Sequence, residues 1–392
     1  MNRLTIKGDK VIWMIAILFS IASLLIVYSS TVTLANKHRT MTESYLFEQL
    51  IIMLLGLGML FIAHHVRFTW YSRIGQILLA IAVPLLIMTF FMAPDVNNAQ
   101  RNLWLNLPVA GRLSFQPSDI AKLALMMYIA RFLAKYNHRE MDFKEFFLKM
   151  GLPLFLVTAL ILRSNFSTAA ILFMVSTIFL IIGQVKFKYV GKLVMIALVT
   201  FLLLLAIGRF VPEVFPRAGT WVARIEGFFI SNENAEPNIQ VKHAQIAIAQ
   251  GGLIGKMPGK STQRNFLPYA YNDYVYAIIV EEYGLIGGTT VVMLFMILLF
   301  RSIKIARRCR SKFGSFLVVG ISLLMVWQAL LNMAVAVNIM PITGQPLPFL
   351  SKGGTSFWFS CIGIGIILSV SRSVDLEPEP GFETEKLANV AA

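Results

Sequence analysis

Ten long apolar runs, separated by shorter polar segments, constrain this sequence more than any other feature. A helix needs roughly 20 apolar residues to cross about 30 Å of hydrocarbon, and fewer where lysine or arginine reaches back to the interface. The runs cover residues 11–34, 46–65, 74–93, 117–134, 147–162, 166–185, 192–210, 273–300, 316–337 and 355–371. Only 14% of the 392 residues are charged. We therefore predict an all-α membrane protein with about ten transmembrane helices.

The basic residues predict how these helices are oriented. The net charge is +15, but the cations lie between apolar runs and are not gathered on one face, so nucleic acid is not an expected partner. Cytoplasmic loops carry the excess of lysine and arginine in such proteins. Placing the cluster from Arg301 to Lys312 inside puts both termini in the cytoplasm. The uncharged first run exceeds a signal-peptide core, which predicts a retained signal anchor.

Three predicted extracytoplasmic segments are longer than a turn requires, as functional loops often are. They cover residues 94–116, 211–272 and 338–354. The largest joins predicted helices 7 and 8, and its glycines allow tight bends or close approach to a ligand, although a flexible linker is the plain alternative. Residues 1–374 are predicted to form one membrane domain. The acidic tail, residues 375–392, is predicted to be disordered.

Four ionisable residues lie within predicted spans, where each costs a few kcal/mol or more. Asp119 and Lys122 are three residues apart and share one helical face, so they either neutralise each other or contact a substrate. Glu281 and Glu282 follow the start of the eighth run. At least one of them is expected to meet a buried partner or a hydrated cavity, and a structural role is favoured over substrate contact.

Asp273 stands where the eighth run meets the outer water boundary. Asn272 or Asp273 could simply cap the helix that follows. Capping does not explain the polar and aromatic segment before it, which carries Lys260 and Arg264. A carboxylate beside a cationic loop at this boundary suits a general base acting on a lipid-linked substrate.

Four motifs together resemble the shape, elongation, division and sporulation family, whose members include FtsW, RodA and SpoVE. The motifs are FQPSDIAK at 115–122, GKMPGKS at 255–261, FLPYAYNDYVYAIIVEEYG at 266–284 and PITGQPLPFLSKGGT at 341–355. Their order and their shared position at the outer boundary carry the resemblance. It extends from the first predicted helix to the tenth.

The resemblance implies a peptidoglycan glycosyltransferase that polymerises lipid II from an undecaprenyl pyrophosphate-linked glycan, with inversion. Asp273 matches the family's catalytic carboxylate. A divalent cation, Mg²⁺ or Mn²⁺, shared between Asp273 and the pyrophosphate is allowed by the resemblance, although no ligand cluster requires it. Expected partners are a single-pass class B penicillin-binding protein, which is a transpeptidase, and regulators of the divisome.

The resemblance and the chemistry of the substrate also single out residues that would bind it. Cations are needed to stabilise the departing diphosphate, and polar groups to contact sugar or phosphate. The candidates are Arg101, Trp104, Arg112, Gln116, Ser118, Asp119, Lys122, Lys260, Ser261, Arg264, Glu281, Ser351, Lys352 and Gly353.

Several positions depart from the family pattern. Asp119 replaces the usual glutamate, and Lys352 replaces the usual tyrosine before paired glycines. Two residues separate Arg101 from Trp104, where the family has an adjacent Arg-Trp pair. The sixth run opens with Asn165-Phe166-Ser167-Thr168 in place of Asp-Leu-Gly-Thr, so an ionisable role there is in doubt.

Three function classes remain open at this point. A polymerase of the division branch is favoured over the elongation branch by the short tail and compact loops. A lipid II flippase would use the same buried charges, and broken helices in matching halves would favour it. Pro84 and Pro153 lie within runs but form no such pair. A scaffold that only recruits a synthase leaves the intramembrane charges without a role.

Overall fold

The computed structural model describes residues 7–31, 42–92, 103–107, 111–136, 141–210, 239–267, 272–352 and 354–376. These residues form mainly helices, which we number in chain order. They are α1 (Lys10–Ser30), α2 (Thr42–His65), α3 (Tyr71–Met92), α4 (Pro117–Tyr136), α5 (Phe143–Ser164), α6 (Phe166–Ile182), α7 (Phe187–Phe210), α8 (Ile239–Gly251), α9 (Val275–Arg308), α10 (Lys312–Ala336) and α11 (Gly354–Leu376).

Eight helices in the described part of the chain are long and apolar enough to cross a membrane. All ten predicted segments overlap helices, but two of these helices fall short of that standard. Helix α4 carries Asp119, Lys122 and Arg131 within its length, and α6 is a 17-residue helix. The structure confirms a multi-pass helical membrane protein, while the predicted number of ten spans depends on α4 and α6.

Two elements in the predicted loops were not expected. Strands β1 (Leu103–Leu107) and β2 (Gly111–Phe115) pair antiparallel before α4, so the all-α prediction missed a hairpin. Helix α8 lies within the large predicted loop and buries Ala244 and Ala247 against the start of α9. It is too short and too polar to resemble a membrane span. The predicted tail beyond residue 376, and loop residues 211–238, lie outside the described residues.

The bundle turns apolar side chains outward as well as inward. Met195, Leu198 and Leu202 on α7 are 61%, 52% and 54% exposed, a pattern that would be unfavourable in water over a whole helix. Helices α10 and α11 are instead central, because 67% of each membrane-length window is buried. Lipid therefore suits the outer face, and α10 and α11 form the middle of the protein.

Side-chain contacts define two ends of the bundle. At the site end, named for the residues described below, Thr355 of α11 contacts Asp119 of α4 at 3.3 Å. At the opposite end, the carboxylate of Asp9 accepts hydrogen bonds of 2.8 and 2.5 Å from Arg301 of α9. The backbone N–H of Asp9 also donates to Ser371 at 2.9 Å, which joins the start of α1 to the end of α11.

Candidate active site

Residues 252–267, here called the docking loop, are interlocked with a break in α9. Gly284 adopts φ 69° and ψ −171°, which interrupts the helix. Backbone groups around this break bond to the loop instead of to the helix, as backbone at membrane depth must find partners within the protein. The bonds are Lys256 N to Glu281 O (2.9 Å), Met257 N to Glu282 O (3.0 Å), Leu285 N to Gly252 O (2.9 Å) and Ile286 N to Leu253 O (3.3 Å).

Glycine is required where the loop and helix approach each other. A Cβ on Gly251 would lie 2.0 Å from the carbonyl oxygen of Val280, and one on Gly255 would lie 2.3 Å from that of Glu282. A Cβ on Gly284 would lie 2.2 Å from a loop carbonyl oxygen. Gly251 and Gly255, predicted to allow tight bends or close approach to a ligand, therefore allow two stretches of backbone to approach each other.

Glu281 is fully buried and serves as the anchor of the docking loop. Its oxygens accept from Lys256 Nζ at 2.8 Å, Ser261 Oγ at 2.5 Å and the Thr262 backbone N–H at 3.0 Å. Further bonds come from the Thr262 hydroxyl and the Gln263 N–H. Glu281, for which a structural role was favoured, and Ser261, a candidate for substrate contact, are thus both bonded within the docking loop and its anchor.

Glu282 connects the same loop to α1. Its carboxylate accepts from the Ser29 hydroxyl and from the Ser261 N–H at 3.2 Å. Arg264 lies 4.0 Å from this carboxylate and donates to the Ser29 carbonyl at 2.9 Å. Arg264 thus belongs to the junction between the loop and α1.

Asp273 lies at the site end, immediately before α9, and is partly exposed. The N-cap position belongs to Tyr274, whose side chain makes no capping hydrogen bond. Two side chains bind the backbone here: Asn332 donates to the Asp273 carbonyl at 3.0 Å, and Ser351 donates to the Asn272 carbonyl at 2.6 Å. Helix α10 and the segment before α11 therefore hold the backbone that carries this carboxylate.

Asp119 and Lys122 form the buried ion pair that their spacing predicts, with 2.8 Å between Nζ and Oδ1. They line a small cavity of about 40 Å³ between α4, α10 and α11. Gln328, Ser356 and Ser360 add polar groups to the lining. The pair is neutralised internally and also borders this mainly apolar cavity, so both predicted roles are compatible with the geometry.

Lys352 is held by two residues of α2. Its Nζ lies 3.2 Å from Glu48 Oε2 and 3.9 Å from the centre of the Tyr45 ring. Burial lowers the pKa of the Lys352 amine from its usual value, and the negative charge of Glu48 opposes that change. The predicted cation is present at the site end, paired with a carboxylate.

Five further candidates lie within the described residues. Gln116 donates to Ser118 at 2.9 Å, and Lys260 is exposed on the docking loop. The backbones of Trp104 and Arg112 belong to the β1–β2 hairpin. Arg101 and Gly353 lie outside the described residues.

Sequence reasoning missed several polar groups that support the site. Asn332, Gln345 and Thr168 form a connected set, because Asn332 donates to the Gln345 carbonyl and Gln345 Nε2 donates to Thr168. Glu48 and Ser29 were not singled out either. A buried asparagine in an apolar run was an available signal, since polar groups inside a membrane protein usually serve a purpose.

An apolar helical bundle whose buried charges and glycine-rich loop converge at one end defines a class: a multi-pass membrane protein with a polar site at a membrane boundary. The chain belongs to the cell cycle protein family of FtsW, RodA and SpoVE, whose sequence profile matches residues 9–376. This confirms the resemblance drawn from the four motifs.

Similar proteins of known name cover nearly the whole chain. A probable peptidoglycan glycosyltransferase FtsW of Geobacter sp. strain M18 is 30% identical over 93% of this chain and 96% of its own length. Stage V sporulation protein E of Bacillus subtilis is 29% identical over 93% of this chain and 97% of its own. These relatives come from more than one branch of the family.

Solved structures share the fold. RodA of Thermus thermophilus, a rod shape determining protein, aligns with a TM-score of 0.66 at 20% identity, covering 95% of this chain and 99% of its own. A chain from a study of polymerization and crosslinking by a peptidoglycan synthase complex aligns with a TM-score of 0.70 at 20% identity, covering 94% and 99%. At this identity the likeness establishes the architecture alone.

Proposed function

We propose that this protein is a peptidoglycan glycosyltransferase that polymerises lipid II at the outer face of the bacterial inner membrane. One observation carries the proposal. The backbone of the partly exposed Asp273 is bound by α10, and that of Asn272 by the segment before α11, at the same end as the buried ion pair. Membership of a family with relatives named for this activity supports it.

In the proposed reaction Asp273 acts as a general base. Its carboxylate removes the proton of the 4-hydroxyl of an incoming lipid II as that oxygen attacks the anomeric carbon of the donor glycan. The new bond between carbon and oxygen forms opposite the diphosphate, whose bond to the same carbon breaks. The proton resides on Asp273, undecaprenyl diphosphate departs, and the configuration inverts.

The leaving diphosphate needs positive charge close to it as the bond breaks. Lys260 is exposed on the docking loop, and Lys352 lies at the same end of the bundle beside α2. We assign them the more direct contacts. Lys122, paired with a buried carboxylate, and Arg264, part of the junction between the loop and α1, are assigned a supporting electrostatic role.

A divalent cation would fit this site only if the substrate supplied most of its ligands. The described residues contain no group of three or more histidine, cysteine or acidic side chains able to hold a metal. Mg²⁺ is often bound by one or two carboxylates together with substrate phosphates, so Asp273 is the protein group that would hold it. The ion would add positive charge beside the diphosphate.

The proposal includes a partner and a cellular role. A single-pass class B penicillin-binding protein would cross-link the new strands, and divisome regulators would control their synthesis. We favour septal synthesis, the role of the division branch, because a relative that covers nearly the whole chain is named FtsW. Fluorescent localisation to the septum supports the division branch, whereas labelling along the side wall supports the elongation branch.

The Asp273→Asn substitution tests the reaction. Purified protein with its transpeptidase partner is given fluorescent lipid II in detergent, and glycan chains are separated by gel electrophoresis. We expect turnover to fall by at least about 100-fold, as when a general base is lost. The folded fraction should be unchanged, since a partly exposed side chain keeps its size.

Asp375→Asn is the matched control, because it makes the same change at an exposed position near the end of α11. It should leave polymerisation intact. Full activity of Asp273→Asn would refute the proposed base. Transport of lipid II across vesicles that tolerates Asp273→Asn, with no chains formed, would favour the flippase.

A further inference from the structure

Asn332 is a buried amide in an otherwise apolar stretch of α10. It is 1% exposed, and burial of such a group is unfavourable unless it is hydrogen-bonded. A buried asparagine is therefore expected where its hydrogen bonds hold other parts of the structure in place. The partners of Asn332 show which parts these are.

Both hydrogens of the Asn332 amide bind main-chain carbonyls from other segments. Nδ2 lies 3.0 Å from the Asp273 oxygen and 2.6 Å from the Gln345 oxygen. One carbonyl precedes α9 and the other belongs to the segment leading to α11. Because an amide nitrogen carries two hydrogens, these bonds saturate it.

Neighbouring bonds extend the connection. The Gln345 side chain donates to Thr168 at the start of α6 at 2.5 Å, and Ser351 donates to the Asn272 carbonyl at 2.6 Å. Asn332 therefore lies where α6, α10 and two extracytoplasmic segments meet. Removing it would leave two carbonyl oxygens without this donor and loosen the backbone at Asp273.

We infer that Asn332 is a positioning residue that fixes the backbone of Asp273 for proton removal. The inference rests on the proposed role of Asp273 as the base. A base must lie within hydrogen-bond reach of the hydroxyl, and a displacement of about 1 Å can cost about 100-fold in rate. Asn332 acts through the carbonyl of Asp273 and does not itself touch the reacting atoms.

The test compares Asn332→Leu with Gln49→Leu. Gln49 is a matched control, because it is also fully buried and donates to Ser23 of a neighbouring helix at 3.0 Å. In both residues the amide oxygen has no hydrogen-bond partner within the described structure. The hydrogen bond of Gln49 goes to Ser23 and not to Asp273 or Gln345.

Asn332→Leu should lower kcat for lipid II polymerisation by about tenfold or more, with KM changed less than about threefold, because geometry is lost and binding is kept. Hydrogen–deuterium exchange at residues 272–278 and 345–351 should become faster. Gln49→Leu should change neither kcat nor exchange in these segments. If leucine prevents folding, Asn332→Ser carries the same test with one donor retained.

The exchange measurement separates this inference from the proposed function. Unchanged exchange in Asn332→Leu would overturn the positioning role, and so would faster exchange with an unchanged kcat. Full activity of Asp273→Asn would overturn the proposed base, and with it the catalytic purpose assigned to Asn332. Faster exchange, a lower kcat and an inactive Asp273→Asn together support both.

Discussion

Lys352 shows how two neighbours accommodate one departure from the family pattern. The amine takes a position where tyrosine is usual, and α2 supplies both a carboxylate at 3.2 Å and an aromatic ring. Burial favours the neutral amine, whereas Glu48 favours the charged one. The balance between them sets the pH at which this cation is lost.

We expect Glu48→Gln to move the alkaline limb of the pH profile of kcat/KM to lower pH. The reason is that an opposite charge within a few ångströms favours the charged form of the amine, so its removal lowers the pKa of Lys352 further. The measurement is polymerisation rate as a function of pH in the purified complex.

Glu43→Gln is the control for this profile, because Glu43 is exposed in the first turn of the same helix. The alkaline limb of the Glu43→Gln profile should lie at the same pH as that of the unchanged protein. A limb that is identical in Glu48→Gln and the unchanged protein would show that Lys352 does not bind the diphosphate.

Folding stability should respond to the same amine with a defined sign. The folded pKa of Lys352 is lowered, while an unfolded lysine titrates near about 10.4. Between these values the unfolded chain binds more protons, so this group's contribution to stability increases as pH rises through the interval.

Individual residues could be predicted only in part from the sequence. The spacing of Asp119 and Lys122 predicted their ion pair, because a helix fixes the distance between positions three apart. The partners of Glu281 lie in a loop about twenty positions earlier, and no periodicity relates the two. Asn332 was missed for the same reason, since its bonds reach segments whose approach depends on the whole bundle.

At the scale of elements, the break in α9 and the docking loop form one unit. Each supplies hydrogen-bonding backbone groups to the other, and the side chains of Glu281 and Glu282 bind the loop as well. Separating them would expose carbonyls and N–H groups at membrane depth, which is costly. The loop should therefore lose its structure only together with the adjacent turn of α9.

Gly251→Ala should destabilise this unit by about 1–3 kcal/mol, the usual range for overpacking. The added Cβ would meet the Val280 carbonyl at 2.0 Å. Thermal unfolding in detergent and hydrogen exchange at residues 256–262 measure the effect. Gly191→Ala is the control, because that helical glycine has open space around it, and it should be neutral or slightly stabilising.

Equal melting temperatures for the two alanine variants would show that the loop can move away without cost.

Most helices could be predicted because apolar runs of this length have few alternatives in a membrane. The β1–β2 hairpin and α8 could not, since short polar segments carry weak periodic signals. Their structure depends on the surfaces against which they pack, as α8 does on α9.

At the scale of the whole molecule, the two ends of the bundle perform separate tasks. The opposite end joins α1, α9 and α11 through Asp9, Arg301 and Ser371. These contacts are distant from Asp273 along α9, a helix of 34 residues. Stability and turnover should therefore respond to different substitutions.

Arg301→Met should destabilise the protein by about 1–3 kcal/mol, because Asp9 is largely buried and loses a charged hydrogen-bond donor. Turnover per folded molecule should stay within about twofold of the unchanged protein. Lys304→Met, at an exposed position one turn further on, should alter neither quantity. A large fall in kcat for Arg301→Met would instead reveal coupling between the ends.

Asn332 and Ser351 donate to the main-chain oxygens of Asp273 and Asn272, and every amino acid has such an oxygen. These two supports consequently impose no requirement on the side chains at positions 272 and 273. New functional groups could be installed at position 273 without rebuilding the scaffold around it. Cysteine, histidine or glutamate at position 273 would change the chemistry of the reacting group while the backbone that carries it stays in place.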